Sequence, residues 1–324
     1  MLQTNVCHLS TVIHRLKRRA LYKLWQLENK TVIILLGPTA SGKTGLAISL
    51  AQYFQTSIIS ADSRQCFREL NIGVAKPSAE QLQLVHHDFI NSHSISDQVN
   101  AALFEQLALQ WTEKIFQKTD IVIMPGGTGL YIKSFCEGLD EIPPVSPAIR
   151  EEIQAAYEAG GIEWLQEQIR EKDPEFYRRG EILNPHRLLR ALEVKLASGN
   201  SILSYRNQSE KKRPFNVIKI GLQLSRDELH RNINLRTHLM MKQGLLDEVK
   251  ELIPYRHYNA LRTVGYSELF DYLDEKISLD QAIELIKKNT RQYAKRQLTW
   301  FRRDRSIRWM HPNDATNFEK IIKS

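Results

Sequence analysis

Residues 37–44 read Gly-Pro-Thr-Ala-Ser-Gly-Lys-Thr and match the phosphate-binding loop pattern G-x-x-x-x-G-K-S/T. An apolar run, Thr31–Leu36, precedes the loop as a predicted strand, and residues 45–51 follow it as a predicted helix. In this order, backbone N–H groups and the helix dipole converge on an anion. The residues predicted to cradle a pyrophosphate or triphosphate are Gly37, Pro38, Thr39, Ala40, Ser41, Gly42, Lys43 and Thr44, with the Thr44 hydroxyl as a ligand of Mg²⁺.

Strand and helix patterns alternate from Thr31 to about Leu139. Further strands are predicted at residues 57–60 and 120–124, and helices at residues 100–117 and from about Leu130 onward. Such alternation predicts an α/β fold of the P-loop NTPase type, in which a parallel sheet carries helices on both faces. Ligands of such sheets bind outside the carboxyl ends of the strands. The loop at 37–44, Asp62 and the Gly126-Gly127 turn should therefore meet at that edge.

The alternation stops at Pro143-Pro144, and helices alone are predicted at residues 148–159, 162–172 and 185–198. An apolar strand at residues 215–222 then returns the chain to the sheet. We therefore predict a core of residues 31–142 and 214–324 with an all-helical insertion at residues 143–213. Residues 1–30 form a separate basic extension of unknown role.

Composition narrows the class of protein. The chain has 324 residues with 42% hydrophobic and 25% charged side chains, an ordinary globular composition. Its apolar runs are too short to span a bilayer, so no membrane partner is expected. The three cysteines form no C-x-x-C pair, so neither a zinc site nor a disulfide framework is indicated. A reducing cytoplasm is the expected setting.

Basic residues are concentrated near the end of the chain. Between Lys287 and Arg308 there are nine lysines and arginines against one acid, Asp304, an excess that equals the net charge of +8 of the whole chain. The nine, hereafter the basic stripe, are Lys287, Lys288, Arg291, Lys295, Arg296, Arg302, Arg303, Arg305 and Arg308. Such a stripe indicates a polyanionic partner, although a solvated helix face would have the same pattern.

Hydrolysis of a nucleoside triphosphate would need a carboxylate at the end of a second strand. The strand at 120–124 ends in Met124-Pro125 instead, and only Asp62 occupies a comparable place. Three roles stay open for Asp62: an outer ligand of Mg²⁺, a general base, or a cap for a helix at residues 63–70. The turn at residues 126–129 is either a second phosphate contact or a tight backbone turn. His86-His87-Asp88 lacks the spacing of a metal site.

Two arginines three residues apart, Arg187 and Arg190, suit either phosphate contacts or salt bridges to Glu193. Arg236 stands alone on a predicted helix, where an arginine is usually structural. A small-molecule kinase of the P-loop class is therefore an alternative function, with Arg187 and Arg190 on its lid. A non-catalytic RNA-binding protein is disfavoured because Lys43 and Asp62 are intact.

Six collinear segments resemble one family, the tRNA dimethylallyltransferases (tRNA isopentenyltransferases) of bacterial type. They are the loop at 37–44, Asp62-Ser63-Arg64-Gln65 with 71–77, Gly126-Gly127-Thr128-Gly129-Leu130-Tyr131, residues 186–194, Arg262-Thr263-Val264-Gly265-Tyr266 and residues 290–302. The resemblance covers residues 31 to about 310. It implies that N6 of adenine 37 in tRNAs reading codons that begin with U attacks dimethylallyl diphosphate and releases diphosphate.

The resemblance also implies roles for single residues. Asp62 matches the general base, the phosphate loop with Mg²⁺ holds the diphosphate, and Thr39, Thr128 and Arg236 lie near the reacting groups. The partners it implies are the anticodon stem-loop of tRNA and dimethylallyl diphosphate, and we expect the protein to be a monomer. Positions that face tRNA in the family are Asp62, Ser63, Arg64, Gln65, Thr128, Arg150, His186, Arg187, Leu188, Leu189, Arg190, Arg262, Thr263, Val264, Gly265, Tyr266, Ser267, Lys295, Arg296, Gln297, Leu298, Thr299, Trp300, Phe301 and Arg302.

Overall fold

A computed structural model describes residues 30–206 and 211–314. Apart from Lys30, the predicted N-terminal extension lies outside the described residues. Six strands form one parallel sheet in the order β3-β2-β4-β1-β5-β6. The strands are β1 (Thr31–Leu36), β2 (Ile58–Ile59), β3 (His87–Asp88), β4 (Ile121–Pro125), β5 (Asn216–Leu222) and β6 (Arg308–Met310).

The strand before the phosphate loop is fully buried. All six residues of β1 are buried, and since successive side chains point to opposite faces, both faces of the sheet are covered there. Ile33 is paired with Ile123 of β4 and Ile218 of β5. The phosphate loop therefore leaves the sheet at its carboxyl edge, between two neighbouring strands.

Eleven α-helices lie within the described residues. They are α1 (Lys43–Phe54), α2 (Ala79–Leu84), α3 (Ala101–Phe116), α4 (Gly129–Glu137), α5 (Pro147–Lys172), α6 (Pro174–Arg179), α7 (Pro185–Ser198), α8 (Arg226–Lys242), α9 (Leu245–Glu251), α10 (Tyr266–Leu273) and α11 (Leu279–Phe301). Of the helices that the structure describes, none is long and apolar enough to cross a membrane.

The chain divides into two compact units. Glu137–Lys212 forms one, and the described residues on either side of it form the other. A backbone hydrogen bond of 2.8 Å from Lys211 to Glu137 joins the two ends of this helical unit. Its core includes Leu165, Ile169 and Leu192.

Local sequence signals set the helix starts in this unit. Pro147, Pro174 and Pro185 each stand in the first turn of a helix, where a missing N–H costs nothing. Gly161 interrupts α5 with φ of 67°, as the separate helices predicted at 148–159 and 162–172 require.

Other sequence predictions were wrong in detail. Residues 63–70 form turns and no helix, and the predicted strand at 57–60 is reduced to the two residues of β2. The sequence did not indicate β6 or α2. Each of these elements is short, so no apolar periodicity could develop.

Candidate active site

The phosphate loop has the backbone of an anion-binding turn. Gly37 and Gly42 have φ of 144° and 86°, and a side chain at residue 37 would lie against the carbonyl oxygen of Leu222. Both positions therefore require glycine. Gly42 precedes α1 without a capping side chain, so the helix N-terminus is left for a ligand anion.

Lys43 points back along the loop. Its Nζ donates hydrogen bonds to the carbonyl oxygens of Gly37 (3.0 Å) and Pro38 (2.7 Å). Burial lowers the pKa of Lys43 to about 8, Asp62 raises it, and Arg236 lowers it further. An anion bound beside the ammonium would favour its charged form.

Asp62 follows β2 and serves as the cap of a turn. Its Oδ1 accepts hydrogen bonds from the N–H groups of Arg64 (2.9 Å) and Gln65 (3.3 Å). Among the described residues, Oδ2 accepts no hydrogen bond, and the side chain lines a cavity above the phosphate loop. Asp62 therefore caps this turn through Oδ1 alone, and Oδ2 remains available to accept a proton or a hydrogen bond from a metal-bound water.

The second glycine turn is a site of close packing. A side chain at Gly126 would collide with Ala61, and one at Gly127 with the amide of Gln297. Thr128 Oγ1 accepts a hydrogen bond from the N–H of Ser63 at 3.1 Å. The turn thus holds the segment after Asp62 in place, which explains its glycines without a phosphate.

Gln297 ties this turn to the phosphate loop. Its Oε1 accepts a hydrogen bond from the N–H of Thr39 (2.8 Å), and its Nε2 donates one to the carbonyl oxygen of Gly127 (2.9 Å). The residue is only 6% exposed. Asn232 of α8 adds a hydrogen bond of 3.2 Å to the carbonyl oxygen of Ala40. Two helices distant in sequence therefore fix the loop.

A cavity of about 230 Å³ lies over the loop. Its charged side chains include Lys43, Arg236 and Asp62. Arg236 makes no hydrogen bond or ion pair with the described residues; burial lowers its pKa, while Asp62 and Tyr293 raise it. Burial also raises the pKa of Tyr293 to about 12. Two cations near one carboxylate suit an anionic ligand with more than one negative charge.

A smaller cavity of about 40 Å³ adjoins it, and Lys43, Thr44 and Asp62 line both. The described residues contain no group of three or more His, Cys, Asp or Glu side chains that could hold a metal. The oxygens of Thr44 and Asp62 nevertheless fit Mg²⁺, which commonly combines one or two protein oxygens with water and ligand phosphates. In His86-His87-Asp88, His86 Nε2 lies 3.2 Å from Asp88 Oδ1, and His87 Nδ1 lies 2.8 Å from the carbonyl oxygen of Val85.

Five of the residues predicted to face tRNA are buried in this structure. Gly265, Tyr266, Gln297 and Phe301 are buried in the core unit, and Leu188 is buried in the helical unit. Gly265 and Gln297 nevertheless line the cavity over the phosphate loop, so a contact of either residue with a bound base stays a prediction. The sequence signal for the burial of Gln297 and Phe301 is their spacing of four residues on α11, which places both on one face of the helix.

Other residues predicted to face tRNA make hydrogen bonds within the protein or line the cavity over the phosphate loop. Gln65 donates hydrogen bonds to the carbonyl oxygens of Val74 (3.3 Å) and Ala75 (3.0 Å). Arg64, Thr263 and Val264 line the cavity.

In the helical unit, Arg190 and Arg150 approach Glu193 at 3.2 and 3.9 Å, which supports the salt-bridge interpretation of Arg190. Arg187 is exposed there and makes no ion pair with the described residues.

The basic stripe is largely unpaired. Of its nine cations only Lys287 forms an ion pair with a described acid, Glu284, at 2.7 Å. Seven are exposed, and Arg296 lies over the ring of Tyr293 at 5.9 Å. A solvated helix face usually intersperses both signs, so the lack of acids favours a polyanionic partner.

Comparisons with known proteins agree with this arrangement. Residues 65–304 match the family model described as IPP transferase. A tRNA dimethylallyltransferase of Cytophaga hutchinsonii is 44% identical over 91% of this chain and 97% of its own. One of Christiangramia forsetii is 47% identical over 90% and 97%. The crystal structure of a tRNA isopentenylpyrophosphate transferase of Bacillus halodurans is similar with a TM-score of 0.66 at 31% identity, covering 91% of this chain and 97% of its own.

Proposed function

The chain belongs to the IPP transferase family of tRNA dimethylallyltransferases, and on that basis we propose the reaction in detail. The N6 atom of adenine 37 in tRNAs that read codons beginning with U attacks the allylic carbon of dimethylallyl diphosphate. A C–N bond forms, the C–O bond breaks, and diphosphate leaves. The single observation that carries this proposal is the meeting of Lys43, Arg236 and Asp62 in one cavity over the phosphate loop.

The cationic groups stabilise the leaving group. Cleavage of the C–O bond places negative charge on the diphosphate, and preorganised donors act most strongly where charge develops. The ammonium of Lys43, the N–H groups at the start of α1 and the guanidinium of Arg236 supply those donors. Thr44 would hold Mg²⁺ beside them, and that ion would neutralise part of the charge.

Asp62 would take the proton of the nucleophile. An exocyclic amine of adenine is a poor nucleophile, so removal of its proton as the new bond forms lowers the barrier, typically by about 10²–10⁴-fold in rate. Oδ1 accepts hydrogen bonds from two backbone N–H groups, which leaves Oδ2 of this cavity-lining residue to take the proton. Thr39 and Thr128 lie on the two loops that Gln297 joins, and they complete the surroundings of the reacting groups.

The unpaired cations of the basic stripe would bind phosphates of the tRNA. Its adenine must leave the base stack to enter the cavity, which costs least in a single-stranded loop. We therefore propose the anticodon stem-loop as the bound part of the tRNA.

Labelled dimethylallyl diphosphate tests the proposal. Incubation with the protein and a tRNA that has adenine at position 37 should place label in the RNA, and replacement of that adenine by guanine should abolish transfer. A parallel reaction uses ATP labelled at its γ-phosphate. Transfer of phosphate to a small acceptor, with no label in RNA from the prenyl donor, would favour a P-loop kinase instead.

A further inference from the structure

The side chains that line the cavity over the phosphate loop differ in polarity between the loop and the far end. Two hydrogen bonds mark its charged end, from Asn232 to Ala40 and from Thr39 to Gln297. Away from the loop, α8 contributes Arg236, then Thr237, then Met240 to the wall. Ile233, nearly one turn closer to the loop than Arg236, also lines this wall, and beyond Arg236 the lining passes from a hydroxyl to an apolar side chain.

A second part of the wall comes from α11. Along this helix the lining passes from Gln297 through Tyr293 and Thr290 to Ile286. At about 1.5 Å per residue, Met240 lies about 12 Å along α8 from Asn232, and Ile286 about 16 Å along α11 from Gln297. Met240 is 8% exposed and Ile286 3% exposed, so both are fixed by packing. These two residues are hereafter the apolar end of the cavity.

We infer that Met240 and Ile286 set the length of prenyl chain that the protein accepts. This inference rests on the proposed function. With the diphosphate at Lys43 and Arg236, the hydrocarbon chain extends toward the apolar end. The volume of about 230 Å³ is below the roughly 300–1,000 Å³ common for drug-sized ligands. A donor one isoprene unit longer would meet two packed side chains, so dimethylallyl diphosphate fits and geranyl diphosphate is rejected.

The experiment compares kcat/KM for dimethylallyl and geranyl diphosphate with one tRNA acceptor. The wild-type chain should prefer the shorter donor by at least about 100-fold, since each misfitting methylene is worth about 10–200-fold. Met240→Ala and Ile286→Ala should each raise the geranyl-to-dimethylallyl ratio by at least about tenfold. Met240→Leu, which keeps the volume, should retain the wild-type ratio.

A matched control is next to Met240 on the same helix. Leu239 is 46% exposed and lies outside the cavity wall, so Leu239→Ala should leave the ratio unchanged. Ile286→Val removes a single methyl group and serves as the milder variant if either alanine variant does not fold.

Three outcomes would overturn the inference. Equal use of both donors by the wild-type chain would show that no length limit exists. An unchanged donor ratio in folded, active variants would place the limit elsewhere. A rise in KM for tRNA with an unchanged donor ratio would show that the apolar end holds the adenine. Absence of transfer from dimethylallyl diphosphate by the wild-type chain would overturn the proposed function itself.

Discussion

Gln297 offers the sharpest test of how the site is held. Gln297→Ala removes the acceptor for the Thr39 N–H and the donor to the Gly127 carbonyl, and the native side chain is only 6% exposed. A buried polar group left without a partner costs about 1–3 kcal/mol. The Gly127 carbonyl is buried and the Thr39 N–H only partly so, so the free energy of unfolding should fall by about 1–3 kcal/mol, with a smaller addition from Thr39. Water entering the vacated space would bring the cost toward the smaller figure.

The same substitution should affect catalysis more than tRNA binding. It releases the phosphate loop from the second glycine turn, and a shift of about 1 Å in reacting groups can cost about 100-fold in rate. We therefore expect kcat/KM for dimethylallyl diphosphate to fall by about one to two orders of magnitude, while tRNA affinity changes less than about threefold.

Urea unfolding, donor kinetics and tRNA binding would be measured on one preparation. Gln292→Ala is the matched control, because this glutamine is exposed on the same helix, and its effect on stability should stay within about 0.5 kcal/mol. If Gln297→Ala behaved like Gln292→Ala in stability and in donor kinetics, the hydrogen bonds of Gln297 would not be what holds the phosphate loop in place.

Three further predictions concern single groups. Asp62→Asn keeps an acceptor for the turn and loses the base, so kcat should fall by about 10²–10⁴-fold with tRNA affinity retained; a large loss of tRNA affinity would contradict this. Free Lys43 has a pKa of about 8 and binds the donor when charged, so kcat/KM should decline as pH rises above 8, measured from pH 6.5 to 9.5 in constant salt; a flat profile would refute that role. Lys295→Ala or Arg302→Ala should each weaken tRNA binding and reduce the salt slope by about one, whereas Lys287→Ala, already paired with Glu284, should change the slope less.

Short-range signals in the sequence predict the phosphate loop and the helix starts of the insertion. The phosphate loop depends on glycines at fixed offsets, a buried strand before it and a helix after it, all within residues 31–54. The helices of the insertion begin at prolines that follow capping residues. These features are local, because backbone conformation and capping hydrogen bonds involve neighbours in the chain. Local signals do not predict the short strands β2, β3 and β6, because these form only by pairing with the rest of the sheet.

Only the tertiary structure brings the residues of the site together. The family resemblance places Gln297 among the residues that face tRNA; the fold buries it against Thr39, 258 positions away. Met240 and Ile286 read as ordinary core residues, and only the approach of α8 and α11 makes them the end of a cavity. The spacing of apolar residues along a helix shows which face of the helix is apolar. It does not show which distant group that face contacts, because this depends on how all the elements pack together.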